Sequence, residues 1–341
     1  MEPIHPTSPA PRRATSYDVA RAAGVAQSTV SRCFQPGSNI SSSTRNHVLG
    51  VAERLNYLPN ALARSLITQR SNIVGVIATR YTVRGNPDVI YAISEALAAA
   101  SKQLLLITAE SDSPQIADLR GALGFPLDGL ISCVQLADAV MVEIQARGTP
   151  LVLYNRRSPR MPVDGVTTDH ATAAAAVASA LHGAGHRSFV CLCGPPDAPV
   201  SRERRDGFLE RLAELGIRRI PVIETDYSYG GGHAGILRHL RRAKPPAVIF
   251  GANDQIALGV MDACRFELGL AIPADISVVG FDDVAEAARP SYRLTTVRQD
   301  SVQMARTAVD ILLRRLAEPG LPAMTKVLDA AIIPRSSARL A

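Results

Sequence analysis

No part of the chain approaches the roughly 18 consecutive apolar residues that a membrane-crossing helix requires. Residues 1–14 are rich in proline and polar side chains, and they lack the charged-then-apolar order of a secretory leader. The sequence therefore predicts a cytoplasmic protein, with residues 1–14 forming a flexible arm.

Cysteine is scarce as well, with 5 in 341 residues, and the number is odd. Cys191 and Cys193 are two apart, a spacing that places both side chains on one face of a strand, and no further Cys or His clusters near them. We therefore expect buried, reduced thiols and neither a metal site nor a cofactor.

The motifs G-x-S-x-G, H-E-x-x-H and G-x-x-x-x-G-K-[ST] are all absent, so the sequence predicts a protein that is not an enzyme. One string matches the G-x-G-x-x-G pattern of dinucleotide sites, at Gly230–Gly235. The residues 226–229 separate it from the preceding apolar run, whereas the motif needs its first glycine directly after a strand. A flexible loop that opens a helix explains the glycines equally well. A nucleotide-dependent enzyme rests on this string alone.

Charge is unevenly distributed along the chain. Residues 1–70 contain eight of the 37 Lys and Arg residues and three of the 31 acidic residues. The remainder of the chain therefore has 29 basic and 28 acidic residues. Such a distribution is typical of a phosphate-binding head on an electrostatically neutral body.

The length indicates two or three domains, and an apolar content of 47% provides for a large core.

The segment 15–34 predicts two short helices joined by a turn. Thr15 and Asp18 have the spacing of a helix-capping pair, and Gly24 suits a left-handed helix end. In the second helix, predicted from Gln27 to Phe34, Val30 faces inward. This is the helix-turn-helix pattern, whose second helix lies in the DNA major groove. A helical hairpin of some larger domain is the alternative.

A third helix is predicted from a cap at Ser41 to about Asn56, with four apolar residues on its buried face: Val48, Val51, Ala52 and Leu55. The short segment 60–66 that follows is too small for a stable isolated helix in water. It is expected to fold only with a partner.

From Ser71 onward, strand-length apolar runs alternate with amphipathic helices. The predicted strands are 73–78, 104–108, 129–134, 151–155, 163–167, 188–192, 222–225, 247–251 and 277–281. Regular alternation of this kind indicates parallel sheets with helices on both faces, here in two lobes. Ligands of such sheets bind at the carboxyl ends of strands, where the candidates are Asn155, Asn253, Asp254 and Asp282.

With these residues in view, the chain resembles the LacI/GalR family of bacterial transcription regulators over roughly residues 15–334. The resemblance depends on five motifs: Y-D-V-A-R-A-A-G-V-A-Q-S-T-V-S-R at 17–32, Y-L-P-N-A-L-A-R-S-L at 57–66, G-A-N-D-Q-I-A-L-G at 251–259, P-A-D-I-S-V-V-G-F-D-D at 273–283 and L-T-T-V-R-Q-D at 294–300. Their common order and spacing make the resemblance specific.

The resemblance implies an all-α helix-turn-helix head and an α/β two-lobed core like the type I periplasmic binding proteins. The implied divisions are an arm at 1–14, a head at 15–58, a hinge helix at 59–70 and a core at 71–341. Within the core, the N-lobe would comprise about 71–167 and 299–326, and the C-lobe about 168–298 and 327–341.

The implied function is a dimeric repressor that binds a pseudopalindromic operator and is controlled by a small effector, most simply a sugar. The implied DNA-contacting residues are Tyr17, Gln27, Ser28, Thr29, Ser31, Arg32, Asn60, Ala63 and Leu66, of which Leu66 would wedge into the minor groove. The implied effector-binding residues are Asn155, Arg204, Asn253, Asp282 and Gln299.

Two departures from the family pattern bear on the effector. Position 155 is Asn where many sugar-responsive members have Asp, and Arg80 or Arg84 in an atypical cleft loop would favour an acidic or phosphorylated ligand. The last residues, 335–341, contain no leucine heptads, so a dimer is expected rather than a tetramer. The alternative function is that of a solute-binding protein of a transport system, which shares the two-lobed body but needs an export signal and no DNA-binding head.

Overall fold

The computed structural model describes residues 12–35, 37–59 and 70–340. The chain divides into two compact units, Met1–Ser71 and Asn72–Ala341, and each unit is described by itself. The predicted hinge falls almost entirely outside the described residues, as do its candidate DNA contacts Asn60, Ala63 and Leu66.

The described residues of the first unit form three helices: α1 (Ser16–Ala23), α2 (Gln27–Cys33) and α3 (Ser42–Arg54). The predicted cap of α1 is confirmed, because the Thr15 side chain accepts from the Asp18 backbone N–H and the Asp18 carboxylate accepts from the Thr15 N–H at 2.9 Å. The Thr15 hydroxyl, the Thr15 backbone N–H and the Arg12 guanidinium all donate to the Asp18 carboxylate, and these bonds lower the pKa of Asp18 to about 2. Gly24 ends the helix with a φ of 66°, the left-handed conformation that glycine adopts without steric cost.

A small apolar core joins the three helices. Its fully buried side chains include Val19 from α1, Val30 from α2 and Val48 from α3. Leu55 was predicted on the buried face, and this is wrong. The helix ends at Arg54, so Leu55 lies at its cap and is 38% exposed.

The second unit has two lobes. The sheet of the N-lobe is entirely parallel and has the strand order β11-β5-β4-β3-β1-β2. Its strands are β1 (Ile73–Thr79), β2 (Gln103–Ala109), β3 (Gly129–Ser132), β4 (Leu151–Tyr154), β5 (Asp164–Thr168) and β11 (Thr325–Leu328). The helices of this lobe are α4 (Arg80–Gly85), α5 (Pro87–Ala99), α6 (Ile116–Leu123), α7 (Asp138–Ala146) and α12 (Ser301–Ala317).

The sheet of the C-lobe is parallel, with the order β7-β6-β8-β9. Its strands are β6 (Phe189–Cys193), β7 (Val222–Glu224), β8 (Val248–Gly251) and β9 (Ser277–Val279), and an antiparallel pair adds β10 (Thr296–Gln299) and β12 (Ala330–Ile333). Its helices are α8 (His170–Gly183), α9 (Pro199–Glu214), α10 (Tyr229–Leu240) and α11 (Asp254–Asp262), which continues into a π-helical turn at Ala263–Glu267.

The predicted alternation of strands and helices is confirmed from β1 to β9, but the strands predicted from the hydrophobic pattern stopped at Phe281. Beyond that point the chain passes back and forth between the lobes. β10 pairs with β12, α12 returns to the N-lobe, and β11 pairs with β5 some 160 residues earlier in the chain. A local hydrophobic pattern does not specify such distant partners.

The glycine string at 230–235 has a structural role. α10 begins at Tyr229 and is capped by the Ser228 hydroxyl, which accepts from the Gly231 N–H at 2.9 Å. The first glycine therefore lies inside a helix, and the turn required for a dinucleotide site is missing. A Cβ on Gly232 would collide with the Ile256 carbonyl oxygen, so Gly232 allows α10 and α11 to pack with their backbones in contact.

We predict that Gly232→Ala lowers the free energy of unfolding of the core by about 1–3 kcal/mol, because the added methyl group forces α10 and α11 apart. The matched control is Gly121→Ala in the exposed α6, where a Cβ meets no atom within 4 Å. That change should stabilise by about 0.5–1 kcal/mol through helix propensity. Denaturant unfolding measures both, and equal effects would contradict the close helix contact.

Candidate functional site

The second helix of the head presents a polar face. Ser28 and Arg32 are exposed, while Gln27, Thr29 and Ser31 are half-buried. The Gln27 amide donates to the Ser16 hydroxyl at 3.2 Å, which connects α2 to the start of α1. Tyr17 on α1 is 68% exposed. The six described candidates for DNA contact therefore lie on α1 and α2 with polar atoms available.

An arginine that the sequence analysis missed holds the end of α2. Arg45 on α3 donates to the Cys33 and Gln35 carbonyl oxygens at 3.1 and 3.3 Å, and to the Ser38 hydroxyl at 2.7 Å. These bonds satisfy carbonyl groups that the end of a short helix leaves free. The sequence offered one indication of this role: α2 is followed by a turn with free backbone carbonyl groups, and Arg45 is the only arginine in the first turn of α3.

The core has a cavity of about 610 Å³ where the carboxyl ends of its two sheets meet. Four of the five predicted effector-binding residues line it: Asn155, Arg204, Asn253 and Asp282. Gln299 lies behind this wall and donates its amide N–H to the Asp282 carboxylate at 2.7 Å. The structure thus brings together five residues that are spread over 145 positions of the sequence.

Arg204 is the most interconnected of these residues, although it is only 3% exposed. Its guanidinium forms an ion pair with Asp282 at 2.9 Å and donates to the Ala252 carbonyl oxygen at 2.7 Å. It also lies over the Phe281 ring, 3.9 Å from the centroid. Burial raises the pKa of Asp282, and the neighbouring Arg204 charge opposes that shift.

His170, which the sequence analysis missed, connects Arg204 to Asn155. The Arg204 Nε lies 3.3 Å from His170 Nδ1, and His170 Nε2 lies 2.9 Å from Asn155 Oδ1. Because a guanidinium only donates, Nδ1 must accept, so the proton is on Nε2 and is donated to Asn155. Burial and the nearby arginines hold the pKa of His170 well below its ordinary value. Asn155 is thereby oriented with its NH₂ group toward the cavity.

The Asn253 amide is already occupied by protein groups. Its oxygen accepts from the Ile256 N–H at 2.8 Å and caps α11. Its NH₂ group donates to the Tyr227 carbonyl oxygen at 3.1 Å and to the Tyr81 hydroxyl. The residue is therefore at the predicted place, with both of its N–H donors in use.

Arg156 and Tyr81 are two further cavity residues that the sequence analysis missed. Arg156 forms an ion pair with Asp112 at 2.8 Å, and its buried Nε has no hydrogen-bond partner among the described residues. A more open cavity of 740 Å³ adjoins the first and shares Asn155 and Arg156. Both missed residues stand two positions after the last residue of a strand, so the rule applied to Asn155 would have included them if it extended one position further. Arg84, in contrast, does not line either cavity.

Asp254 was a candidate because it follows β8, but it does not line the cavity. Its carboxylate is fully buried and accepts from the Thr296 hydroxyl at 2.5 Å and the Val284 N–H at 2.9 Å. Burial, with the Asp282 charge second, raises the pKa of Asp254 to about 7. It joins α11 to the segments after β9, which is a structural role.

Comparison with known proteins agrees with this arrangement. Residues 15–60 match the bacterial regulatory proteins of the lacI family, and residues 178–338 match the periplasmic binding protein-like domain. The lactose operon repressor of Escherichia coli (strain K12) is 31% identical over 304 residues, which are 88% of this chain and 84% of that protein. The chain belongs to the LacI family.

Solved structures of transcription regulators show the same fold. The lac repressor dimer bound to operator and the anti-inducer ONPF superimposes with a TM-score of 0.85 at 28% identity, covering 96% of this chain and 99% of that one. A complex of the transcriptional regulator CelR with cellobiose gives 0.71 at 26% identity, covering 95% and 100%. The predicted family and fold class, a helical head with a two-lobed α/β core, are confirmed.

This LacI-family protein is therefore a DNA-binding regulator of transcription. The alternative of a transport solute-binding protein is not supported, because residues 15–60 match the DNA-binding part of the family. Its curated relatives are transcriptional repressors, which are not enzymes. Within the described part of the chain, no helix combines the length and apolar character needed to cross a membrane.

We predict that His170 makes the stability of this LacI-family core depend on pH. Its folded-state pKa lies below its ordinary value, so the unfolded chain binds the proton more tightly and stability is lost as pH falls below about 6.5. The loss should approach about 1.4 kcal/mol per pH unit. Denaturant unfolding between pH 8 and 5.5 should show a smaller loss for His170→Gln than for wild type.

The control for that experiment is His182→Gln, which changes a half-buried histidine in the last turn of α8 and leaves His170 in place. It should retain the pH dependence of the wild type. If the free energy of unfolding of His170→Gln fell with pH as steeply as that of the wild type, His170 would not be the cause of the pH dependence.

Proposed function

We propose that the protein is a cytoplasmic, sequence-specific repressor that binds a pseudopalindromic operator as a homodimer and is controlled by a neutral, polyhydroxylated effector. The observation that supports this most is the convergence of Asn155, Arg204, Asn253 and Asp282 on one cavity, in a chain whose head presents an exposed polar helix. A carbohydrate is the simplest ligand of this chemistry.

On the DNA side, we assign base contacts to Arg32, Gln27 and Ser28. The exposed Arg32 guanidinium has the geometry to donate two hydrogen bonds, to guanine O6 and N7. The side chains of Gln27 and Ser28 can both donate hydrogen bonds to base edges in the major groove and accept hydrogen bonds from them. Tyr17, Thr29 and Ser31 are assigned to the phosphates. These contacts would set the register on the duplex without sequence information.

The hinge assignment is a proposal from sequence. Leu66 would insert between base pairs at the operator centre, and Asn60 and Ala63 would lie along the minor groove. An apolar wedge unstacks a base step and bends the duplex, which allows two heads to contact it. The relative solved as a dimer on operator DNA supports a dimer for this chain.

The charges around the cavity favour a neutral effector. Five carboxylates line it (Glu110, Asp112, Asp197, Asp226 and Asp282) together with three guanidinium groups (Arg80, Arg156 and Arg204). Two of the guanidinium groups are neutralised by ion pairs with Asp112 and Asp282. A phosphate would therefore meet an excess of negative charge, which argues against the acidic ligand that Arg80 and Arg84 suggested.

The hydrogen-bonding groups fit a ligand with hydroxyls. The NH₂ group of Asn155 offers donors, and the free oxygen of Asp282 offers an acceptor. A hydroxyl both donates and accepts, so it pairs with either. The side chains of Tyr154 and Tyr227 supply the apolar surface that covers a sugar ring. The related regulator in complex with cellobiose is consistent with this class.

For base recognition, we predict that Arg32→Ala weakens binding to the cognate operator by about 1–3 kcal/mol and has little effect on random duplex. Arg21→Ala is the control, since it removes an exposed charge from α1 and leaves α2 unchanged. Fluorescence anisotropy at fixed salt measures all six affinities, those of wild type and the two variants for each duplex. An equal loss on both duplexes with Arg32→Ala would assign that residue to the phosphates.

For effector binding, a thermal-shift screen should find that a neutral mono- or disaccharide raises the melting temperature while its phosphate ester does not. Arg204→Ala should abolish this shift and leave operator affinity intact, because the residue orients the cavity through Asp282 and His170. Arg205→Ala is the matched control, since Arg205 pairs with Asp206 and does not line the cavity. A preference for the phosphate ester would refute the neutral ligand.

A further inference from the structure

The short helix α4 of the N-lobe is attached to the C-lobe by its own side chains and backbone. The Tyr81 hydroxyl accepts from the Asn253 NH₂ group, and the Tyr81 ring lies 5.5 Å from the Tyr227 ring at an angle of 32°. At the other end of α4, the Gln255 amide donates to the Gly85 carbonyl oxygen at 3.1 Å. Three separate contacts thus connect the lobes across one side of the cavity.

The contact between Tyr81 and Asn253 uses the last free N–H donor of this amide. An asparagine side chain offers two N–H donors and one carbonyl oxygen. The oxygen of Asn253 caps α11 at Ile256, and one N–H is donated to Tyr227. The other N–H is donated to the Tyr81 hydroxyl, so Asn253 has no donor left for a ligand.

Tyr81 is also chemically similar to the ligand that we propose. Its hydroxyl both donates and accepts, as a sugar hydroxyl does, and its ring lies against an aromatic neighbour that also lines the cavity. A side chain that offers the same group at the same amide competes with any ligand that needs that amide.

We propose that Tyr81 is a built-in occupant of the effector site, and that an effector hydroxyl displaces the Tyr81 hydroxyl from Asn253. The proposal rests on the proposed function, since it requires a polyhydroxylated ligand in the cavity. It assigns Tyr81 two effects. It weakens effector binding, because the binding-competent state is only part of the population, and it holds the two lobes together in the absence of ligand.

Removal of the Tyr81 hydroxyl, in Tyr81→Phe, distinguishes displacement from a direct contact between Tyr81 and the effector. If the hydroxyl belonged to the binding surface, its removal would lower affinity. If it competes, its removal frees the Asn253 N–H, and the affinity rises by roughly two- to ten-fold, the range expected for one neutral hydrogen bond. The sign of the change therefore decides between the two roles.

The test compares Tyr81→Phe with wild type and with Tyr91→Phe. Tyr91 lies on α5 of the same lobe and is 70% exposed, so its variant removes a hydroxyl at a site with no assigned role. Calorimetric titration uses the neutral saccharides of the thermal-shift screen. The expected result is tighter binding by Tyr81→Phe and unchanged binding by Tyr91→Phe, while unchanged or weaker binding by Tyr81→Phe overturns the proposal.

Hydrogen–deuterium exchange of the ligand-free protein tests the contact itself. Backbone amides of residues 80–85 and 227–229 should exchange several-fold faster in Tyr81→Phe than in wild type, and at the wild-type rate in Tyr91→Phe. Equal rates in all three proteins overturn the cross-lobe attachment even if saccharides bind. If neither wild type nor Tyr81→Phe binds any saccharide, both the proposed effector class and the displacement are refuted. If wild type binds a saccharide and Tyr81→Phe does not bind it more tightly, only the displacement is refuted.

Discussion

The buried ion pair between Arg204 and Asp282 determines how the other groups of the proposed effector site are arranged. Two charges removed from water destabilise a fold unless their remaining hydrogen bonds are made. Here Arg204 is satisfied by Asp282, the Ala252 carbonyl oxygen and His170, and Gln299 donates to the same Asp282 oxygen. Because the guanidinium can only donate, it also decides which nitrogen of His170 carries the proton. The orientation of Asn155 follows from that tautomer.

This dependence gives the cavity a defined set of donors and acceptors before any ligand arrives. Asn155 presents its NH₂ group, Asp282 retains one carboxylate oxygen, and Asn253 is held by Tyr81. The groups come from both lobes, so the binding of one ligand changes contacts on either side of the cavity. A regulator needs such differential contacts, since a ligand shifts an equilibrium only by its difference in affinity for the two states.

Much of the site was predictable because its polar residues follow strands. Asn155, Asn253 and Asp282 stand just after β4, β8 and β9, and parallel sheets bring such positions to one edge. The same rule placed Asp254 in the site, and this was wrong, because α11 begins at that residue and turns its side chain into the core. One position along a helix decides which way a side chain points, and hydrophobic periodicity does not locate helix starts that closely.

The sequence alone was sufficient for the helical head, the alternating α/β body and the family, because these depend on local periodicity, capping residues and contiguous motifs. The tertiary structure decided which of these residues remain available to a ligand. Tyr81 and Asn253 are 172 positions apart, and His170 is separated from Arg204 by 34. Whether a side chain is free or already bonded depends on its neighbours in space, and packing of distant segments determines those neighbours.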